Sequence, residues 1–246
     1  MPRYKLVVEY DGTPYTGWQA QAEGRSVQQA LEAAVAAFAS GPVRVHCAGR
    51  TDSGVHATHQ VVHLDLDREW RTDTVRDAAN AHLRPAPVCV LSAEIAAPDF
   101  DARHWAIRRR YRYRILNRRP PPALDRARVW HVPWPLDAPA MHEAAQVLVG
   151  RHDFSTFRAA ECQASGPVRT LERLDVARDG EEIVVETAAR SFLHHQVRSM
   201  VGTLMLGGSG RLTRDGLADA LASRDRARCG PMAPACGLAL VGVEYP

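Results

Sequence analysis

The segment Ala48-Gly49-Arg50-Thr51-Asp52-Ser53-Gly54-Val55-His56-Ala57 lies between two stretches in which apolar and polar residues alternate. Its two glycines permit turn geometry that a β-carbon would hinder. We therefore predict a loop between two strands that presents the Asp52 carboxylate beside a guanidinium and two hydroxyls, an arrangement suited to catalysis. The same residues also fit an ordinary surface hairpin in which Asp52 caps its own backbone.

The composition is that of a globular protein without a membrane-spanning segment. The chain has 246 residues, 46% of them hydrophobic and 24% charged, and a formal net charge of +3. No apolar run is long enough to cross a bilayer, and the N-terminus runs directly into a strand pattern rather than a signal peptide. The five cysteines are widely spaced and form no C-x-x-C pair, which favours a reducing compartment. We therefore expect a cytoplasmic protein.

The positive charge is concentrated in one part of the chain. Between Arg103 and Arg128 ten arginines are opposed only by Asp125, and Lys5 is the only lysine of the chain. Arginine forms planar, bidentate contacts with phosphate, so this stretch indicates a nucleic-acid partner.

Periodicity outward from the Asp52 loop predicts strand, helix, strand, strand, helix and strand in the first half. The predicted elements are a strand over 3–10, a helix opened by Ser26 and stopped by Gly41-Pro42, strands over 43–48 and 58–66, a helix opened by Thr72 or Asp73, and a strand over 88–95. This order is typical of a ferredoxin-like fold.

The second half is predicted to repeat that order. The predicted elements are a strand over 105–116, a helix over 138–149 ended by Gly150, strands over 168–178 and 182–189 joined at Asp179-Gly180, helices over 192–206 and 213–223, and a strand over 238–244. We thus predict an α/β (α+β) protein with two ferredoxin-like, RRM-like halves, residues 1–103 and 104–246. We expect the halves to share a mainly antiparallel sheet, with the active-site cleft between them.

Several segments, taken in order, resemble TruA-type tRNA pseudouridine synthases. They are Tyr10-Asp11-Gly12-Thr13, Gly17-Trp18-Gln19, Gly49-Arg50-Thr51-Asp52-Ser53-Gly54-Val55-His56-Ala57, Arg109-Arg110-Tyr111-Arg112-Tyr113, His152-Asp153-Phe154 and Phe192-Leu193-His194-His195-Gln196-Val197-Arg198. The resemblance runs from residue 4 to Tyr245, and the segment around Asp52 is its most specific part. It implies a cofactor-free isomerase that converts uridine to pseudouridine at positions 38, 39 and 40, in the anticodon stem-loop of tRNA.

The resemblance also implies roles for individual residues. Asp52 matches the catalytic aspartate, which acts as a nucleophile, on the sugar or on the base, while the base is detached, turned and rejoined through C5. Arg198 matches the arginine that pairs with this aspartate and favours its charged form. Tyr111 matches the active-site tyrosine, which stacks on the extruded uracil and lies near the C5 proton. Tyr113, on the same strand face, is expected to pack in the core.

Four further residues are candidates for substrate binding. Arg50 matches an arginine that the family places against the RNA, and its other interpretation is a phosphate contact or a salt bridge. Arg109 and Arg110 belong to the basic strand expected to hold phosphates. His56 faces RNA or makes a core hydrogen bond. The resemblance further implies a homodimer in which one tRNA contacts both subunits.

Alternative functions remain open at this point. A ferredoxin-like sheet with aromatic residues also suits a non-catalytic RNA-binding module. A hydrolase that releases free uracil would need a second carboxylate, and none is near Asp52 in sequence. The histidines do not predict a metal site, because His194 and His195 are adjacent, and His59 and His63 lack a Cys or carboxylate at ligand spacing. Asp101 departs from the family pattern, where histidine is commoner.

Overall fold

The computed structural model of the chain describes residues 1–246. The elements in chain order are β1 (Arg3–Tyr10), α1 (Val27–Ala36), β2 (His46–Cys47), β3 (His56–Asp65), α2 (Thr72–Leu83), β4 (Val88–Ala96), β5 (Arg108–Leu116), β6 (Trp130–His131), α3 (Ala138–Ala145), β7 (Gly150–Asp153), β8 (Val168–Asp179), β9 (Glu182–Ala189), α4 (Gln196–Gly208), α5 (Arg214–Ser223) and β10 (Leu238–Glu244).

These elements confirm the predicted mixed α/β class. Ten strands, mostly in antiparallel pairs, are combined with five α-helices. The chain divides into two compact units: one comprises Met1–Arg109 with Ala239–Pro246, and the other comprises Arg110–Leu238. The domain boundary after residue 103 stays a prediction. No helix has the length and apolar character that a bilayer span requires.

The first unit has the strand order of a ferredoxin-like fold. β1 lies between β3 and β4 and is antiparallel to both, while β2 pairs antiparallel with β3. The resulting order β4-β1-β3-β2 is the one that a split β-α-β arrangement produces. Alternate residues of β1, namely Tyr4, Leu6 and Val8, are fully buried. β10 joins β3 in parallel at its His56 end.

The strand predicted over 43–48 is shorter than expected. Only His46 and Cys47 pair with β3, because the backbone of Val45 is occupied by side chains of α1. Its N–H donates to Glu32 Oε1 at 3.0 Å, and its carbonyl accepts from Gln28 Nε2 at 3.3 Å. The helix itself begins as predicted, with Ser26 and Gln29 forming a capping box.

The second unit contains strands in the order β5-β9-β8-β7, with β6 beside β5. The hairpin of β8 and β9 turns at Gly180, as predicted. The predicted helix over 138–149 was too long: α3 ends at Ala145, continues as one 3-10 turn, and gives way to β7 at Gly150. β7 was missed because its sequence, Gly-Arg-His-Asp, has no apolar alternation to mark a strand.

The helix predicted from residue 192 begins at Gln196 instead. His195 has φ 62°, a left-handed conformation that an α-helix cannot include. The Gln196 side chain accepts from Leu193 N–H at 2.8 Å, and the Gln196 N–H donates to Leu193 O at 3.1 Å. The backbone N–H and carbonyl of Leu193 are therefore bonded within a local turn, and the residues before Gln196 do not join the helix as predicted.

Candidate active site

The loop between β2 and β3, residues 48–55, is held on one side by residues far away in sequence. Trp18 N–H donates to Thr51 O at 3.0 Å, and Gln60 Nε2 donates to Gly49 O at 2.6 Å. The hydroxyls of Tyr10 and Thr51 share a buried hydrogen bond of 2.8 Å. Backbone and side chain of Thr51 are thus both fixed, and the residue that follows it is Asp52.

A glycine is required where the Gly17-Trp18 segment crosses this loop. Gly17 has φ +107°, and a β-carbon there would lie 2.9 Å from Thr51 O and 3.2 Å from the Asp52 carbonyl carbon. Any other residue would therefore strain its own backbone and push against the loop. The motif Gly17-Trp18-Gln19 acts as a backbone support for the loop that carries Asp52.

Asp52 is half-buried on the turn of this loop. Its carbonyl oxygen accepts from Val55 N–H at 3.1 Å, which closes the turn through backbone atoms. Ser53 Oγ donates to Tyr15 O at 3.2 Å, so the next side chain is tied to the first unit as well. The carboxylate is consequently carried by a turn whose shape is set by its own backbone and its neighbours.

His56 is buried and belongs to the support of the loop. Gly12 N–H donates to His56 Nδ1 at 3.1 Å, which requires an unprotonated Nδ1 and places the ring proton on Nε2. Asp11 Oδ1 lies 3.2 Å from the same Nδ1. His56 is thus buried and makes a core hydrogen bond, which is one of the two positions expected for it.

The three candidate arginines of the basic motifs have different surroundings. Arg109 is buried, and its guanidinium donates to Ala48 O at 2.6 and 3.0 Å and to Arg103 O at 2.7 Å. It therefore fixes the residue with which the Asp52 loop begins. Arg50 and Arg110, in contrast, are exposed. Binding of RNA by these arginines stays a prediction.

Tyr111 and Tyr113 lie on β5 in the second unit and differ in their neighbours. The Tyr111 ring packs edge-on against Phe192, with the ring centroids 5.3 Å apart. Tyr113 is fully buried and donates its hydroxyl to Pro234 O at 2.8 Å. Burial raises the pKa of the Tyr113 phenol, which makes it a poor proton carrier. Tyr113 is thus a core residue, as expected.

Arg198 lies in the first turn of α4 and is half-buried. Its Nε donates to Ala233 O at 2.9 Å, while its own carbonyl accepts from Ala233 N–H at 3.1 Å. These two bonds join the helix to the segment 231–234, which also receives the Tyr113 hydroxyl. The guanidinium is therefore held at a defined position within the second unit.

The histidines that were considered for a metal site differ in their surroundings. His63 is buried, accepts from Ala102 N–H at 3.0 Å and stacks on His46 with centroids 4.9 Å apart. Burial lowers the pKa of His63, which favours its neutral form. His59 is exposed although it shares the β3 strand with His63. His195 has a left-handed backbone conformation just before α4, and its ring centroid lies 3.8 Å from the ring centroid of His194.

Within each unit the structure gathers part of the predicted set. Asp52, Arg50, His56 and Arg109 lie on or against one loop of the first unit. Tyr111, Arg110 and Arg198 belong to the second. The sequence reasoning missed the positioning residues Tyr10, Gln60 and Phe192. Tyr10 and Phe192 stood inside the quoted motifs, which was the available signal, whereas Gln60 carried none.

A model of the family described as tRNA pseudouridine synthase matches residues 6–104 and 144–246. The chain belongs to this family. Recognition of the family from the sequence is thereby confirmed, and with it the prediction of an isomerase. The residues between the two matched segments include Tyr111 and Arg110, so the family match itself does not extend to β5.

Relatives of the family are similar along the whole chain. The tRNA pseudouridine synthase A of Methylobacterium sp. (strain 4-46) is 75% identical over 246 residues, covering 100% of this chain and 98% of the relative. The tRNA pseudouridine synthase A of Azorhizobium caulinodans is 64% identical over 246 residues, covering 100% of this chain and 95% of the relative. These similarities include the segment 105–143 that the family model leaves unmatched.

Proposed function

We propose that this member of the family isomerises uridine to pseudouridine in the anticodon stem-loop of tRNA, at positions 38, 39 and 40. The observation that carries the proposal is the family match, combined with the support built around the Asp52 loop. A carboxylate that acts as a nucleophile works best from a defined position, and hydrogen bonds with Trp18, Tyr10 and Gln60 hold the loop that carries Asp52.

The proposed reaction begins with extrusion of the uridine from its stack, which costs a few kcal/mol. Asp52 then acts as the nucleophile while the bond between uracil N1 and the ribose breaks. The uracil turns, its C5 bonds to the ribose carbon released from N1, and the bond to the Asp52 carboxylate breaks. C5 then loses its proton and N1 gains one. Because product and substrate have the same atoms, the reaction consumes no oxidant, reductant or cofactor.

Other residues are assigned roles around this step. By the resemblance to the family, Arg198 is assigned as the partner of the Asp52 carboxylate. Tyr111 stacks on the extruded uracil, supported by its edge-on contact with Phe192. Arg50 and Arg110 contact the RNA from their exposed positions. We assign Arg109 to positioning of the loop, because its donors are used by backbone carbonyls.

We further propose that the enzyme acts in the cytoplasm as a homodimer, with one tRNA contacting both subunits. This part rests on the resemblance to the family. Sedimentation of the enzyme with and without one equivalent of tRNA tests it, since a 1:1 complex of monomer and tRNA contradicts the proposal.

The experiment that tests the function uses an unmodified tRNA transcript and maps pseudouridine by carbodiimide-dependent primer extension. Wild type is expected to modify the anticodon arm, and Asp52→Asn to lose at least about 10³-fold in rate while binding tRNA within about threefold. Asp77→Asn, on the exposed face of α2, is the matched control and keeps full activity. Absence of pseudouridine in several tRNAs overturns the proposal. Free uracil in the reaction would instead favour a hydrolase.

A further inference from the structure

The second unit contains a shallow pocket of about 520 Å³ whose charged residues have no part in the proposed reaction. It is formed where β7 lies beside β8, together with the residues that follow β9. Arg151, Arg169 and Arg190 line it, with Glu172 and Ser191. Three guanidinium groups and one carboxylate leave a formal charge of +2 in one small concavity.

Arg169 is held in this pocket by neutral groups. Its Nη1 donates to Gly166 O at 3.0 Å and to Val168 O at 2.7 Å. Its Nε is buried and has no hydrogen-bond partner. Burial lowers the pKa of the guanidinium, and the like charge of Arg158 acts in the same direction. The carbonyls fix the side chain without neutralising it, so a bound anion would relieve an unfavourable charge.

Arg158 places a second cation near Arg169, while the Cys162 side chain acts in the opposite direction and raises the pKa of Arg169. Arg158 donates through Nη2 to Cys162 O at 2.7 Å and Ala164 O at 2.8 Å, which again are neutral acceptors. Arg151 is exposed at the edge of the pocket on β7. A ligand reaching the pocket from solvent would therefore meet the exposed guanidinium of Arg151 first and the fixed one of Arg169 behind it.

The pocket is adjacent in the chain to the candidate active site. Ser191 lines it, and the next residue is Phe192, whose ring packs on Tyr111 with centroids 5.3 Å apart. The pocket-lining residue Ser191 is thus one position along the chain from the aromatic pair assigned to the extruded uracil. In an RNA strand, the group found next to every base is a backbone phosphate.

We infer that the pocket of Arg151, Arg169 and Arg190 binds one backbone phosphate of the RNA strand, next to the nucleotide that is modified. The inference rests on the proposed function. Arginine suits a phosphodiester, because its planar fork donates two hydrogen bonds to two phosphate oxygens. Such a contact carries no sequence information, and it fixes the position of the strand relative to Tyr111.

The first test compares tRNA binding by Arg151→Gln and by Arg214→Gln, an exposed arginine on α5 of the same unit. For Arg151→Gln we expect Kd to rise about 5-fold to 10-fold near 0.1 M salt. The slope of log K against log salt should fall by about 0.7 to 0.9, the loss expected for one phosphate contact. KM for tRNA should rise with kcat kept, whereas Arg214→Gln should resemble wild type. Equal behaviour of both variants overturns the inference.

The second test neutralises phosphates of the RNA one at a time, with methylphosphonate linkages in the anticodon arm. One linkage should weaken tRNA binding by the wild-type enzyme. The same linkage should not weaken the binding by Arg151→Gln or Arg169→Gln any further. Circular dichroism checks that Arg169→Gln is folded. The RNA assignment is wrong if no linkage has this selective effect. If, in addition, 10 mM inorganic phosphate raises the thermal unfolding midpoint of the wild-type enzyme but not of Arg151→Gln, the pocket binds a free anion instead.

These outcomes separate the inference from the proposed function. If wild type forms pseudouridine while Arg151→Gln matches its control, only the pocket assignment fails. If wild type binds tRNA without forming pseudouridine, the function fails, and the binding data still decide whether the pocket holds phosphate.

Discussion

At the scale of single residues, Thr51 links the sequence motif to the catalytic geometry. Its hydroxyl forms a hydrogen bond with the Tyr10 hydroxyl, and its carbonyl oxygen accepts a hydrogen bond from Trp18 N–H. Asp52 is the next residue in the chain. A buried hydroxyl that loses its partner costs about 1 to 3 kcal/mol. The position of the carboxylate therefore depends on a phenol 41 residues away in sequence.

Substitution Tyr10→Phe tests this dependence. It leaves the Thr51 hydroxyl without its 2.8 Å partner, so we expect a loss of about 1 to 2 kcal/mol in the free energy of unfolding and a roughly tenfold lower kcat. The matched control is Tyr4→Phe, which removes the bond from the buried Tyr4 hydroxyl to Trp70 O. Urea denaturation and single-turnover assays are compared. The control should lose stability alone, and equal kcat in both variants contradicts the assigned role.

At the scale of the elements, α4 shows how a small residue sets the distance between two segments. A β-carbon on Gly202 would overlap the carbonyl oxygen of Pro231 and lie 3.0 Å from Ala233 N. Ala233 in turn bonds the Nε and the carbonyl of Arg198 on the same helix. The close approach at Gly202 thus supports the placement of Arg198.

We expect Gly202→Ala to destabilise the protein by about 3 kcal/mol, because the backbone of residues 231–233 would have to move. Gly207→Ala in the same helix is the control, since its β-carbon would meet Leu212 O only at 3.7 Å. That substitution should stabilise the helix by up to about 1 kcal/mol. Urea midpoints measure both effects. A neutral Gly202→Ala would show that the segment is not packed on the helix.

The ion pair between Arg3 at the start of β1 and Asp65 at the end of β3 makes a pH-dependent contribution to stability. Arg3 donates to Asp65 through Nε and Nη2, both at 2.8 Å, and these bonds lower the pKa of the Asp65 carboxyl. Because the pKa is lower in the folded state, the ionised carboxyl stabilises the fold at pH values above its unfolded-state pKa, which is about 4. This stabilisation is lost as the pH falls through the folded-state pKa.

We expect Asp65→Asn to cost up to about 1 kcal/mol at pH 7, since solvent screens the partly exposed pair. The difference from wild type should shrink as pH falls below about 4, towards the lowered pKa of the folded carboxyl. Chemical denaturation from pH 3 to pH 7 measures it. A difference that stays constant over this range rules out the ion pair as its cause.

At the scale of the whole molecule, the proposed reaction conserves every atom of its substrate and uses groups of the chain itself. We expect kcat to stay within about twofold after dialysis against EDTA, with the tRNA folded in monovalent salt. The measurement is pseudouridine formation with and without restored Mg²⁺ and Zn²⁺. Activity that is lost on dialysis and restored by one metal at a 1:1 ratio would contradict the prediction of a cofactor-free enzyme.

Much of the fold could be predicted from the sequence because its signals are local. The alternation in β1, the start of α1 after Ser26 and the hairpin turn at Gly180 depend on a few neighbouring residues, and all three lie where they were predicted. The motif around Asp52 likewise identified the loop and the family. Two of the errors occurred where a side chain bonds to a backbone group, as Glu32 does at Val45 and Gln196 does at Leu193. A third, the missed β7, occurred where the sequence has no apolar alternation.

By itself, then, the sequence determined the mixed α/β class, most of the elements and the family, since periodicity, turn residues and motif order are written in consecutive positions. Only the tertiary structure decided what each candidate side chain contacts. It placed Arg109 under the loop, bonded to Ala48, while its neighbour Arg110 stayed exposed. Burial and hydrogen-bond partners depend on residues that are far apart along the chain, and no pattern of neighbouring residues encodes them.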